Sequence, residues 1–61
     1  MTQKELLYLE DAIGHEQNMI SICTESINYL SDDALIKFMN SEIKKHENML
    51  KKLMVKLEEC A

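Results

Sequence analysis

The sequence predicts an all-α fold, a two-helix antiparallel hairpin that dimerises into a four-helix bundle. Apolar residues recur at helical spacing through almost all of the 61 residues, and the chain has no Pro and only one Gly. A single polar cluster, Ser31-Asp32-Asp33, interrupts the pattern. We therefore expect helix 1 over about 3–30, a turn at 31–33 and helix 2 over about 33–59.

Composition excludes several classes of protein. Apolar residues make up 46% of the chain and charged residues 30%, which is not a disordered composition. The net charge of −4 and the absence of Arg argue against a nucleic-acid partner. No apolar run approaches the roughly 20 residues of a membrane span, and residues 1–5 do not resemble a signal peptide. We expect a cytoplasmic protein with no membrane partner.

Helix 1 begins with the sequence signature of a capping box. The Thr2 side chain is placed to accept a hydrogen bond from the amide of Glu5, and Glu5 is placed to reach back to Thr2. Met1 and Leu6 occupy the positions of a hydrophobic staple. The pattern predicts that the helix starts at about residue 3.

Helix 2 has its own start signals. Ser31 is the expected N-cap, and Asp32 and Asp33 then lie where the helix dipole favours acids. Leu30 and Leu35 are placed to form a second staple. The same cluster that ends the first helix therefore begins the second.

Both helices carry apolar heptad rows. In helix 1 the a positions are Leu6, Ile13, Ile20 and Ile27, and the d positions are Leu9, Glu16, Cys23 and Leu30. In helix 2 the a positions are Met39, His46, Leu53 and Cys60, the d positions are Leu35, Glu42, Met49 and Lys56, and the e positions are Ile36, Ile43, Leu50 and Leu57. This face is too wide for two helices, so we expect a homodimer or a larger homo-oligomer.

The two cysteines cannot pair within one hairpin. Cys23 and Cys60 lie roughly 30 Å apart when the chain folds back near Ser31. We expect Cys23 to be a small core residue, and Cys60 is free to pair with another chain. Gly14 lies in the middle of helix 1 without an evident reason, and His15 is expected on the surface, an accessory metal ligand being the alternative.

Three ionisable residues lie on the predicted seam, in the middle of the helices. Measured from the turn, Glu16 lies about 23 Å along helix 1, and His46 and Glu42 lie about 22 Å and 16 Å along helix 2. Glu16 and His46 should therefore face each other, with Glu42 one turn away. Their clustering suggests a shared partner, because an isolated charge in an apolar core is costly.

A twofold dimer would bring together four carboxylates and two imidazoles, the ligand inventory of a di-metal site in a four-helix bundle. We therefore identify Glu16, Glu42 and His46 as candidate ligands for iron, manganese or zinc. The alternative is a buried polar network that fixes the register and the oligomeric state.

Residues 7–16 (LYLEDAIGHE) and 42–46 (EIKKH) resemble small spore coat protein F-like proteins of spore-forming Firmicutes, within the ferritin-like group. The resemblance implies a ferritin-like bundle and a spore coat role beside other coat proteins. It also implies that Glu16 is the helix-1 carboxylate ligand, with Glu42 and His46 as the helix-2 pair. The family motif is Glu-x-x-His, whereas this chain has Glu-x-x-x-His, with Ile43 at the family's carboxylate position.

Three hypotheses about function follow. The first is a structural or interaction protein of the spore coat type, and the second is a metal-binding ferritin-like protein. The third is a di-iron oxidase, which we favour least because the chain supplies only half of a bundle and the motif spacing is altered. The sequence contains no nucleophile–base arrangement, phosphate loop or cofactor fingerprint.

Overall fold

A computed structural model describes residues 1–60, except for the side chain of Cys60. It has two helices, α1 (Gln3–Ile27) and α2 (Asp33–Cys60), which pack against each other as a hairpin. No strand occurs in this part of the chain. The hairpin is a rod with extents of 45 × 14 × 11 Å. The expected all-α hairpin is confirmed.

The predicted capping box at the start of α1 is confirmed. The amide of Glu5 donates to Oγ1 of Thr2 at 3.1 Å, and the amide of Thr2 donates to Oε1 of Glu5 at 2.9 Å. The hydrogen bond from the Thr2 backbone, followed by the one with the Thr2 side chain, lowers the pKa of the Glu5 carboxyl. The first turn of α1 is thus closed by a charged side chain.

α1 ends at Ile27, three residues earlier than the pattern of apolar residues predicts. The amides of residues 28–30 donate to the carbonyls three residues before them, at 3.0 to 3.2 Å. This tighter pattern replaces the α-helical one and ends the helix without a residue of positive φ. Leu30 therefore lies in the connection and not in the helix.

The N-cap of α2 is Asp32, so the assignment to Ser31 is wrong. The Asp32 carboxylate accepts from the amide of Leu35 at 3.0 Å, and its carbonyl accepts from the amide of Ile36 at 3.0 Å. The helix begins one residue later than a Ser31 cap requires, and Asp is as good a cap as Ser. Leu35 is 50% exposed, and its staple contact with Leu30 stays a prediction.

The hairpin buries very little. Ile13 and Cys23 in α1 are the only side chains of the described part that are classed as buried, at 9% and 5% exposure. Both lie on the predicted seam of helix 1, so the expectation of a core position for Cys23 is confirmed. The other residues at the a and d positions of α1 are half-buried. Two helices alone cannot enclose the apolar residues that this chain carries.

The seam of α2 is rotated by one position from the prediction. The residues turned toward α1 are those at the predicted a and e positions, and these are half-buried, whereas Leu35, Met49 and Lys56 at d positions are exposed. The e row is apolar throughout, but the d row contains Glu42 and Lys56. Burying the e row therefore removes more apolar surface from water. The half-buried row is Ile36, Met39, Ile43, His46, Leu50, Leu53 and Leu57.

This rotation gives the hairpin two unlike sides. The helices are antiparallel. Residues that flank the two seams on the same side, when each helix is viewed from its own N-terminus, therefore lie on the same side of the hairpin. One side, which we name the broad face, consists of Glu5, Ala12, Met19, Ser26, Leu35, Glu42, Met49 and Lys56, bordered by Tyr8, His15, Ile22, Phe38, Lys45 and Lys52. The other side, the polar face, consists of Glu10, Gln17, Thr24, Asn40, Glu47 and Met54.

Neither helix, over the residues described, has a stretch apolar enough to cross a bilayer. Cys23 is a free, buried thiol. The predicted pairing of Cys60 with another chain concerns a side chain outside the described residues.

Candidate functional site

The structure brings the three predicted site residues together halfway along the hairpin. Glu16 is within one residue of the centre of α1, and His46 is at the centre of α2. Glu42 lies one turn before His46 on the same helix. The match between their distances from the turn predicted this meeting, and the structure confirms the proximity.

Each ring nitrogen of His46 faces a different carboxylate. Nδ1 forms a hydrogen bond with Oε2 of Glu16 across the two helices. Nε2 lies 4.0 Å from Oε2 of Glu42, beyond hydrogen-bond distance. His46 and Glu16 are 22% and 16% exposed, and Glu42 is 26% exposed. The imidazole is thus fixed on one nitrogen and free on the other.

Lys45 is a member of this site that the sequence analysis missed. Its Nζ lies 3.5 Å from Oε1 of Glu42, in an ion pair between residues three apart on α2. The spacing of three residues between Glu42 and Lys45 could have indicated this pair, because residues three apart are neighbours on a helix surface. The Lys45 side chain is largely exposed, so this pair is a weak one. It occupies one oxygen of Glu42, and the other oxygen faces His46.

A single chain does not complete a metal site. No group of three or more His, Cys, Asp or Glu side chains within the described part of the chain is arranged to hold a metal ion. His46 Nε2 and Glu42 Oε2 lie side by side without a hydrogen bond between them, and Oε1 of Glu16 likewise makes no hydrogen bond to a described residue; a second copy of the chain is one source of further ligands. The assignment of Glu16, Glu42 and His46 as metal ligands stays a prediction.

His15 is exposed and lies beside the broad face, between Tyr8 and Ile22 in its row on α1. It is not part of the Glu16–His46–Glu42 cluster, as its predicted surface position implies. Lys44 and Lys45 are likewise exposed on α2, in keeping with a solvated surface.

No protein-family profile matches this sequence, and no curated protein and no solved structure shows significant similarity to it. The two faces of the hairpin and the polar cluster are therefore the features that bear on function.

Proposed function

We propose that this chain is a structural protein that self-associates, two hairpins packing through their broad faces into a ferritin-like four-helix bundle. A spore coat role, beside other coat proteins, is the setting that the resemblance to spore coat protein F-like proteins implies. The observation that carries the self-association is the difference between the broad face and the polar face.

The exposed apolar side chains are concentrated on the broad face. Eight large hydrophobic side chains within the two helices are exposed, and five of them belong to the broad face or its border. These five are Tyr8, Ile22, Leu35, Phe38 and Met49. Phe38, at 59% exposure, is the largest apolar side chain of α2 and has no cover within the hairpin. A concentration of this kind marks an interaction surface.

The surface area of one hairpin supports a second copy as the partner. The hairpin exposes 4867 Å², whereas a folded monomer of its 7.1 kDa mass exposes about 4,100 Å². The excess is about 800 Å², which is the area that each partner buries in a stable interface of standard size. A twofold dimer would bury an area of about this size on each hairpin.

The same arrangement favours a polar outer surface. With the broad faces together, the polar face with Glu10, Gln17 and Glu47 lies at the outside of the bundle. Acidic and amide side chains there stay hydrated, whereas burial of unpaired carboxylates would cost on the order of several kcal/mol each. The broad face also carries the carboxylate of Glu42, but this one forms an ion pair with Lys45. The sides of the hairpin are therefore not interchangeable as docking surfaces.

The test compares two methionines of α2. Met49 on the broad face is 45% exposed and Met54 on the polar face is 41% exposed, so a single hairpin should tolerate a charge equally well at either. Met49→Asp should dissociate the dimer, because the interface would bury an unpaired carboxylate. Met54→Asp should leave it intact. The mass by sedimentation equilibrium and the helicity by circular dichroism measure the two effects.

Equal effects of the two substitutions on the mass would contradict the proposal. So would a folded wild-type monomer at micromolar concentration. Loss of helicity together with loss of mass in Met49→Asp alone would mean that the hairpin depends on the dimer, which still assigns the interface to the broad face.

Metal binding is the second candidate function, favoured by the His46 imidazole held between two carboxylates. The imidazole and carboxylate donors suit zinc, iron or manganese. A di-iron oxidase, the third hypothesis, would need Glu16 as a direct ligand and the Glu-x-x-His spacing, whereas one oxygen of Glu16 is hydrogen-bonded to His46 Nδ1 and the chain has Glu-x-x-x-His. We therefore propose binding without catalysis.

A further inference from the structure

We infer that Glu42 and His46 Nε2 of two copies form one tetrahedral site for a zinc-type divalent cation, with both Glu16 carboxylates outside the coordination sphere. The inference rests on the dimer proposed above, and it changes the role of Glu16 from ligand to positioning residue. The ligand set is two imidazole nitrogens and two carboxylate oxygens.

Glu16 is placed to orient His46. A metal-ligating imidazole commonly donates its second ring N–H to a carboxylate, which fixes the tautomer and the ring orientation. His46 makes this contact through Nδ1 with Glu16 Oε2. The proton is then on Nδ1, and the lone pair is on Nε2. The nitrogen that is available for a metal is therefore the one that faces Glu42.

The separation of the two donors suits a shared cation. Nε2 of His46 lies 4.0 Å from Oε2 of Glu42. Two ligands on tetrahedral zinc, with bonds of about 2.0–2.1 Å, lie about 3.4 Å apart. A small rotation of the Glu42 side chain closes this difference, and four residues between two ligands is a spacing that places both on one helix face.

The position of the pair halfway along the hairpin fits a twofold axis. His46 is at the centre of α2, and Glu16 is close to the centre of α1. A twofold axis either along the bundle or across its middle therefore leaves the two copies at the same level. Glu42 belongs to the broad face, so in the proposed dimer the Glu42–His46 pair lies on the side that faces the second copy.

The charges of the site also fit a dication. Two Glu42 carboxylates balance the charge of one divalent cation, and without a cation they would face each other in the interface. Like charges at close range in a dry interface are unfavourable. Lys45 lies 3.5 Å from the other oxygen of Glu42, and this leaves Oε2 as the donor atom.

The test is a titration of chelator-stripped protein with Zn²⁺, followed by calorimetry, with the mass measured in parallel by light scattering. Wild type should bind one Zn²⁺ per dimer. Glu42→Gln and His46→Gln should abolish binding. Glu16→Gln should keep the stoichiometry and weaken the affinity by about 10–100-fold, the cost of losing an outer-shell partner. Glu47→Gln on the polar face is the matched control and should change neither.

Co²⁺ provides a second measurement, since tetrahedral Co²⁺ absorbs visible light far more strongly than octahedral Co²⁺. The wild type and Glu16→Gln should both show the intense spectrum, and Glu42→Gln should not. If His46→Gln fails to fold, the comparison of Glu42→Gln with Glu16→Gln decides the question.

Three results would overturn the inference. They are a dimer that binds no Zn²⁺, a dimer that binds two, and a loss of binding in Glu16→Gln as complete as in Glu42→Gln. A dimer without Zn²⁺ would leave the proposed function standing. A protein that is monomeric with and without Zn²⁺ would refute both.

Discussion

The two sides of the hairpin differ in the residues that flank the seam. Both helices contribute an apolar seam to the small core, and each then presents one flank to either side. On the broad face the flanking residues include Met19, Leu35 and Met49, and on the polar face they include Glu10, Gln17 and Glu47. The exposed apolar residues of this chain are therefore concentrated on one side of the hairpin, the side that we propose a second copy covers.

The seam and the broad face should respond differently to a buried charge. We expect Leu53→Asp to unfold the hairpin, because Leu53 is half-buried against α1 and a carboxylate there is desolvated without a partner. The loss in free energy of unfolding should be about 3 kcal/mol or more. Chemical denaturation followed by circular dichroism measures it.

Val55→Asp is the matched control for this substitution. Val55 is two residues away on α2 and is 50% exposed, on neither seam. The Val55→Asp substitution should change the free energy of unfolding by less than about 0.5 kcal/mol. Similar losses for the two variants would show that the seam of α2 is not where the structure places it.

Much of the hairpin was predictable because its determinants are local. The capping box needs only Thr2 and Glu5, and the pattern of apolar residues follows the helical period. The seam of α2 was not predictable in the same way. The heptad pattern offers both the d row and the e row, and the choice between them depends on the total apolar area each would bury against α1. The polar residues Glu42 and Lys56 decide it.

The end of α1 and the cap of α2 were also misplaced, for a related reason. Ser31 and Asp32 are equally good caps, and the geometry of the turn, set by the tight hydrogen bonds of residues 28–30, selects Asp32. The meeting of Glu16 with His46 was predicted because it depends only on the distance of each from the turn. The partner of each His46 nitrogen depends on side-chain rotamers, and sequence spacing does not define these.

Gly14 lies on α1, outside both the broad face and the polar face. A Cβ added at this position would meet no atom within 4 Å, and the backbone has no positive φ that requires glycine. Gly14→Ala should therefore stabilise the helix by about 1 kcal/mol. Thermal unfolding at fixed concentration measures the gain, and the dimer dissociation constant should not change. A destabilised variant would mean that a partner approaches the backbone at this side of α1.

The smallest expected effect is the pH dependence of the start of α1. The Thr2 hydrogen bonds lower the folded pKa of Glu5 below its ordinary value of 4.5, so the unfolded chain binds the proton more tightly. The contribution of Glu5 to stability is therefore complete above pH 4.5 and is lost as the pH falls through the lowered folded value. Glu5 is on the surface, so this effect is local.

Proton exchange and chemical shifts of the first turn, followed by NMR from neutral pH to below the folded pKa of Glu5, should show fraying in the wild type. In Glu5→Gln, which has no carboxyl group at this position, the fraying of the first turn should not change over this pH range. A first turn that is equally protected in the wild type over the whole range would contradict the role given to the charged cap.

The mass of the wild-type chain in solution tests the central claim most directly. Light scattering at micromolar concentration, with a chelator present so that no metal contributes, should give a folded species of twice the 7.1 kDa chain mass. This result is expected because the exposed large apolar side chains are concentrated on the broad face and the hairpin exposes about 800 Å² more than a folded monomer of its mass. A helical species of 7.1 kDa, stable over the same range of concentration, would contradict the account.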